Sequence, residues 1–162
     1  MSFSSYFTHK TGGDSIFAVE APKIKFGRGS LQEVGDDAKA LGMTRVAVYT
    51  DPRVAQMEHV AKVVESLKSR GMDAVVYDQV AVEPTDVSFK QGAKFATDGK
   101  FDGFVSVGGG SVIDTCKAAN LYSCFPADFL DYVNAPIGKA FPVPGELKPH
   151  IACPTTFGTA SE

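Results

Sequence analysis

The chain has 162 residues, 16 basic against 19 acidic side chains and a hydrophobic fraction of 44%, which fits one globular domain, or two small ones at most, with a sizeable core and argues against a disordered chain. A net charge of −3 and a pI near 5.6 argue against a nucleic-acid partner, because phosphate binding needs a basic face. No window approaches the roughly 18 apolar residues of a membrane span.

Residues 1–20 carry Lys10 as their one Lys or Arg, beside Asp14 and Glu20, so neither a secretory signal nor an Arg-rich transit peptide is legible there. About residues 1–15 are expected to be poorly structured. Ile16-Phe17-Ala18-Val19 and Lys23-Ile24-Lys25-Phe26 alternate as half-buried strands do. Ser30 is placed to cap a helix reaching about Leu41, with Leu31, Val34, Ala38 and Leu41 on one face and Gly42 closing it. Arg45 to Thr50 reads as a buried parallel strand ending at Asp51-Pro52. Val54, Met57, Ala61, Val64 and Leu67 mark a helix that stops before Gly71.

Ala74 to Tyr77 is a second strand, and Asp86 opens a helix ended by Gly99. A third strand, Phe104 to Val107, runs into Gly108-Gly109-Gly110-Ser111 and a helix to about Tyr122. The proline-rich stretch from Pro126 to Pro149 reads as an irregular connection before a fourth strand, His150 to Cys153. Strands alternating with helices at this spacing predict an α/β fold, a Rossmann-like, doubly wound parallel sheet. The chain stops where a further helix is expected, which reads as truncation. Cys116, Cys124 and Cys153 are odd in number and form no C-x-x-C pair, so a reducing cytoplasm is the expected compartment.

Chemistry concentrates at the strand ends. Gly108, Gly109 and Gly110 let a ligand approach the backbone, and the helix start behind them favours an anion, with the Ser111 hydroxyl at its expected N-cap. A pyrophosphate is the natural occupant, since a turn alone seldom needs three successive glycines. Asp51, at the end of its strand, is placed to accept both ribose hydroxyls of an adenosine and to repel a 2′-phosphate, favouring NAD over NADP. It equally suits a turn that caps the next helix. Asp114 is positioned to brace the glycine loop or approach the nicotinamide, or to pair with Lys117 three residues on. Thr155, Thr156 and Thr159 offer hydroxyls to a phosphate or ribose, or simply to their own backbone. His9, His59 and His150 lack metal-ligand spacing, and Cys116 reads as a buried apolar residue.

Thr50-Asp51-Pro52, then Val107-Gly108-Gly109-Gly110-Ser111 with Asp114, then Pro154-Thr155-Thr156 with Gly158-Thr159 and Ser161-Glu162, resemble the N-terminal half of the iron-containing (group III) alcohol dehydrogenase family. Val82-Glu83-Pro84-Thr85-Asp86, the run from Asp114 to Tyr122, and Asp128 to Val133 with Ala135 to Lys139 look like its hydroxyacid-oxoacid transhydrogenase branch. The resemblance implies that residues 1–162 form an N-terminal dinucleotide-binding domain, and that the family's helical C-terminal metal domain is absent from this chain. It implies NAD as cofactor, with Asp51 on the adenosine ribose, Gly109, Gly110 and Ser111 on the pyrophosphate, and Thr155, Thr156 and Thr159 towards the nicotinamide. The family's divalent metal, iron or zinc, is held by one Asp and three His in the missing part, so no catalytic or metal residue is expected here. The partners implied are a small alcohol or hydroxyacid and, in the complete protein, further copies of itself. The fragment alone is expected to be inactive. Phe157 departs from the small residue usual at its position, and Ala160 from a common Gly. A simple alcohol dehydrogenase, a maleylacetate reductase and a non-catalytic nucleotide-binding module are the alternative readings.

Overall fold

The computed structural model describes residues 23–162. After a 3-10 turn at Ser30–Glu33, helix α1 covers Val34–Ala40 and strand β1 covers Arg45–Tyr49. A second 3-10 turn, Val54–Gln56, leads to α2 (Glu58–Ser69) and β2 (Asp73–Tyr77). Helix α3 spans Asp86–Gly99, β3 spans Gly103–Gly108, α4 spans Gly110–Cys124 and β4 spans His150–Pro154. The four strands are parallel, in the order β2-β1-β3-β4.

Side chains alternate along β1 and divide the core in two. Val46 and Val48 pack with Val34 and Ala38 of α1 and with Val60, Val63 and Leu67 of α2. Ala47 and Tyr49 point the other way, towards Ala96 of α3 and Val112, Cys116 and Ala119 of α4. Helices therefore cover both faces, as the α/β expectation required. The second face is aromatic: Tyr49 and Tyr77 lie 5.1 Å apart between ring centroids, and Tyr77 and Phe95 5.0 Å. The buried Tyr49 hydroxyl donates to the Gly92 carbonyl at 2.7 Å. From β1 the chain moves to β2 on one side, and from β3 to β4 on the other. The topological switch point thus lies between the carboxyl ends of β1 and β3, where open α/β sheets place ligands.

Several local expectations change. Lys23 to Phe26 form no strand, and the Ile24 and Phe26 side chains are exposed, with no neighbouring strand among the described residues to half-bury them. The strand expected at Ile16 to Val19 and the poorly structured start at 1–15 lie outside the described residues. Ser30 is not the cap of α1. The preceding Gly29, at φ 87°, turns the chain into a 3-10 start without a side-chain cap. Gly42 does close the helix, with φ 75°, its N–H on Lys39 O and the Met43 N–H on Ala38 O, both at 3.0 Å. The single helix expected from Val54 breaks at Met57, whose extended backbone (φ −92°, ψ 157°) lets Val54 turn into the core before α2 starts. Thr85 caps α3 through a reciprocal box: its Oγ1 accepts the Ser88 N–H at 3.2 Å, and Ser88 Oγ accepts its N–H at 2.8 Å.

Helices α1 and α2 meet at a buried polar clamp. The Gly35 N–H donates to Ser66 Oγ at 2.9 Å, and that hydroxyl donates to Gln32 O at 2.6 Å. A Cβ on Gly35 would stand 2.2 Å from the Ser66 carbonyl oxygen. Gly35→Ala is expected to cost about 1–3 kcal/mol by forcing the helices apart. Urea unfolding checks this, and an unchanged midpoint would mean that the crossing relaxes freely.

Candidate functional site

Strand β3 delivers three glycines to the switch point, and they serve different ends. A Cβ on Gly108 would lie 2.5 Å from Val112 Cγ2, so this glycine is demanded by the packing of α4 against its own strand. On Gly110 a Cβ would meet Thr159 Cβ at 3.1 Å and Ser161 Oγ at 3.2 Å. On Gly109 its nearest contact would be Thr156 Oγ1 at 3.6 Å, which is ordinary van der Waals distance. The Gly109 backbone (φ −79°, ψ −172°) is extended and open to any residue. Neither sterics nor conformation explains Gly109. Gly109, not Ser111, occupies the N-cap of α4, and Ser111 is the helix's second residue. The N–H groups of Gly110 and Ser111 have no intrahelical acceptor and open towards the edge.

The Thr-rich loop, about 45 residues later in sequence, folds against this turn. The Thr155 N–H donates to Gly108 O at 2.9 Å, which extends the β3–β4 ladder past its last pair. Thr155, Thr156 and Thr159 are all exposed, and Thr159 Oγ1 donates to Glu162 Oε2 at 2.7 Å. The Phe157 side chain is 95% exposed, so its ring projects into solvent and does not crowd the glycines.

Asp51 stands at the end of β1, across from the glycine turn. Its Oδ1 accepts the Arg53 N–H at 2.8 Å and the Val54 N–H at 3.0 Å, so the turn-capping reading describes one oxygen. Oδ2 accepts no hydrogen bond among the described residues. Sequence reasoning gave no role to Thr50, yet this fully buried residue joins the two sides of the switch point. Its Oγ1 donates to Val107 O at 2.8 Å, and its carbonyl accepts the Val80 N–H at 3.3 Å. The Asp114–Lys117 ion pair does not form. Lys117 Nζ donates instead to the Ser161 carbonyl, and Asp114 is exposed one turn into α4.

Other reactive groups are buried. Burial drives the Cys116 thiol far above its ordinary pKa and that of Cys153 up to about 12, so neither is a nucleophile at neutral pH. Ser106 Oγ and His150 Nε2 are 2.8 Å apart on adjacent strands, but Ser106 is fully buried and no substrate reaches it. Among the described residues no three His, Cys, Asp or Glu side chains gather as a metal site requires. The described residues therefore do not fit the metal that the family implies. An open cleft of about 290 Å³, lined by Lys90, Ala93, Tyr122, Pro126, Ala127 and Phe129, includes none of the expected site residues.

The model of the family described as iron-containing alcohol dehydrogenase matches residues 21–162. The chain belongs to that family. It is 53% identical over 150 residues to the mitochondrial hydroxyacid-oxoacid transhydrogenase of Bos taurus, covering 92% of this chain and 32% of that protein. Among solved structures it is similar to the alcohol dehydrogenase from Oenococcus oeni, with TM-score 0.73 and 32% identity over 85% of this chain and 35% of that one. It is also similar to sulfoacetaldehyde reductase from Bifidobacterium kashiwanohense in complex with NAD+, with TM-score 0.74 and 25% identity over 85% and 35%. The chain spans about a third of the length of the curated relatives it matches. The cytoplasmic expectation is overturned, because the bovine relative is named as mitochondrial. Unpaired cysteines mark a reducing compartment without saying which one, and residues 1–20 speak only for themselves.

Burial of the His150 ring should make stability depend on pH. Burial first, and the Lys117 charge second, lower the His150 pKa to about 4, against about 6.5 when unfolded. The unfolded chain thus binds a proton between these values that the folded chain refuses. Stability should be unaffected by this group above pH 6.5 and fall towards pH 4, by up to about 3 kcal/mol. His150→Gln should flatten that slope in denaturant titrations at stepped pH.

Proposed function

We propose that this chain is the NAD-binding part of a metal-dependent oxidoreductase acting on alcohol or hydroxyacid groups, and that the complete protein is a hydroxyacid-oxoacid transhydrogenase. The observation that carries the reading is the 53% identity to the bovine protein of that name over 92% of the chain. The glycine turn at the switch point supports the cofactor, as does the NAD+ complex of a structural relative. NAD supplies a carrier for hydride between the 4-hydroxybutyrate carbinol carbon and the 2-oxoglutarate keto carbon, with succinate semialdehyde and 2-hydroxyglutarate as products.

The residues of this chain bind and orient. Gly109 and Gly110 give the pyrophosphate access to backbone, with the Gly110 and Ser111 N–H groups as donors. Asp51 offers Oδ2 to the adenosine ribose while Oδ1 holds its own turn. Thr155, Thr156, Thr159 and Asp114 flank the nicotinamide side. Because no metal-ligating group gathers among the described residues, these 162 residues by themselves are expected to transfer no hydride. A mitochondrial location accompanies the reading. Simple NAD-dependent alcohol dehydrogenation is the second reading, favoured by the 32% identity to the Oenococcus oeni enzyme.

Turnover separates the two. Protein from its native source, given 4-hydroxybutyrate and 2-oxoglutarate without added NAD, should form succinate semialdehyde and 2-hydroxyglutarate in equal amounts. A requirement for free NAD with indifference to 2-oxoglutarate identifies the simple dehydrogenase, and turnover under neither condition leaves a binding module.

Calorimetry with NAD and NADP tests the site. The protein should prefer NAD, and Asp51→Asn, which keeps an acceptor for the turn but loses the charge, should narrow that preference about tenfold. Gly109→Ala should weaken NAD by a similar factor while stability changes by less than about 1 kcal/mol, as its contact distances allow. Equal wild-type affinity for the two cofactors would remove the role of Asp51.

A further inference from the structure

The connection between β2 and α3, residues 78–85, crosses the carboxyl edge of the sheet beside the glycine turn. Three contacts on three different elements hold it. Val80 is buried and its N–H donates to Thr50 O at 3.3 Å, beyond the end of β1. Thr85 is fixed by its capping box with Ser88 at the start of α3. Between them, the Val82 carbonyl accepts a hydrogen bond from Ser111 Oγ in the first turn of α4. The Val82 side chain is 68% exposed and Glu83 is also exposed, so apolar burial does not hold this part of the connection. The hydroxyl of Ser111 is its anchor.

A serine hydroxyl has a single proton to donate, and a pyrophosphate oxygen at neutral pH accepts only. The Ser111 proton is already given to Val82 O, so the same hydroxyl has none left for a phosphate. Ser111 is itself braced from behind, its carbonyl accepting Thr115 Oγ1 at 2.7 Å. We propose that Ser111 is a positioning residue whose hydroxyl fastens the β2–α3 connection across the mouth of the glycine edge, and that its side chain is not a phosphate donor. The backbone N–H groups of Gly110 and Ser111 are left to meet the anion. What the edge binds rests on the cofactor reading above; the fastening itself does not.

Hydrogen exchange over residues 78–85 in the absence of ligand, paired with calorimetric NAD binding, tests this in the protein and in Ser111→Ala and Ser111→Thr. Loss of one such hydrogen bond corresponds to about a threefold to tenfold faster local opening. Ser111→Ala should show that acceleration within 78–85 and not in β1 or β3, with a weaker NAD affinity of the same order. Ser111→Thr, which keeps the hydroxyl, should restore both. If Ser111→Ala weakens NAD while exchange over 78–85 is unchanged, the hydroxyl acts on the phosphate directly and the proposal is overturned. Unchanged exchange with unchanged affinity also overturns it. If exchange accelerates but even the wild-type protein does not bind NAD, the fastening stands and the cofactor reading fails.

Discussion

Strand β3 runs through the middle of the molecule with no exposed residue, and the arrangement of the carboxyl edge follows from how the chain leaves it. Strands β1 and β4 occupy both its edges, and helices cover both its faces. Side chains of neighbouring segments therefore press on its two ends. A Cβ on Gly103 would lie 2.4 Å from Met43 Cγ, and one on Gly108 2.5 Å from Val112 Cγ2. With Gly108 forced, α4 begins within two residues of the strand and its free N–H groups emerge beside the end of β1. The form of this candidate edge is thus a by-product of close packing at the centre.

Two kinds of force act in different places. Below the edge, aliphatic packing on one face and aromatic packing on the other hold the layers together. At the edge, a few directional contacts take over: Thr50 to Val107 O, the Thr155 N–H to Gly108 O, and Ser111 to Val82 O. Each is worth about 1 kcal/mol net, far less than the burial beneath. The loops around the switch point can consequently open without disturbing the sheet.

Much of this was legible in the sequence. The strand runs at 45–50, 74–77, 104–107 and 150–153 are short, apolar and separated by helical periodicity, and each became a strand of the parallel sheet. The glycine turn was legible because a turn alone seldom needs three consecutive glycines. What stayed hidden depended on partners distant in sequence. Nothing near Ser111 announces the Val82 carbonyl 29 residues away, and Thr50 reads as a strand end until Val107 is beside it. Lys117 was assigned to Asp114 by helical spacing, whereas the fold brings the Ser161 carbonyl within its reach. At Lys23 to Phe26 alternation alone was misleading, because a strand needs a neighbour and the described residues supply none.

The unequal chemistry of the two faces also determines how the molecule can be watched. The chain contains no tryptophan, so its intrinsic ultraviolet emission comes from tyrosine. Among the described residues, Tyr49 and Tyr77 belong to the face beneath α3 and α4, and Tyr122 and Tyr132 lie 5.5 Å apart between tilted rings near the end of α4. The aliphatic face beneath α1 and α2 holds none. Within residues 23–162, tyrosine emission is therefore a one-sided reporter, bright to events under α3 and α4 and blind to a separation of α1 from α2.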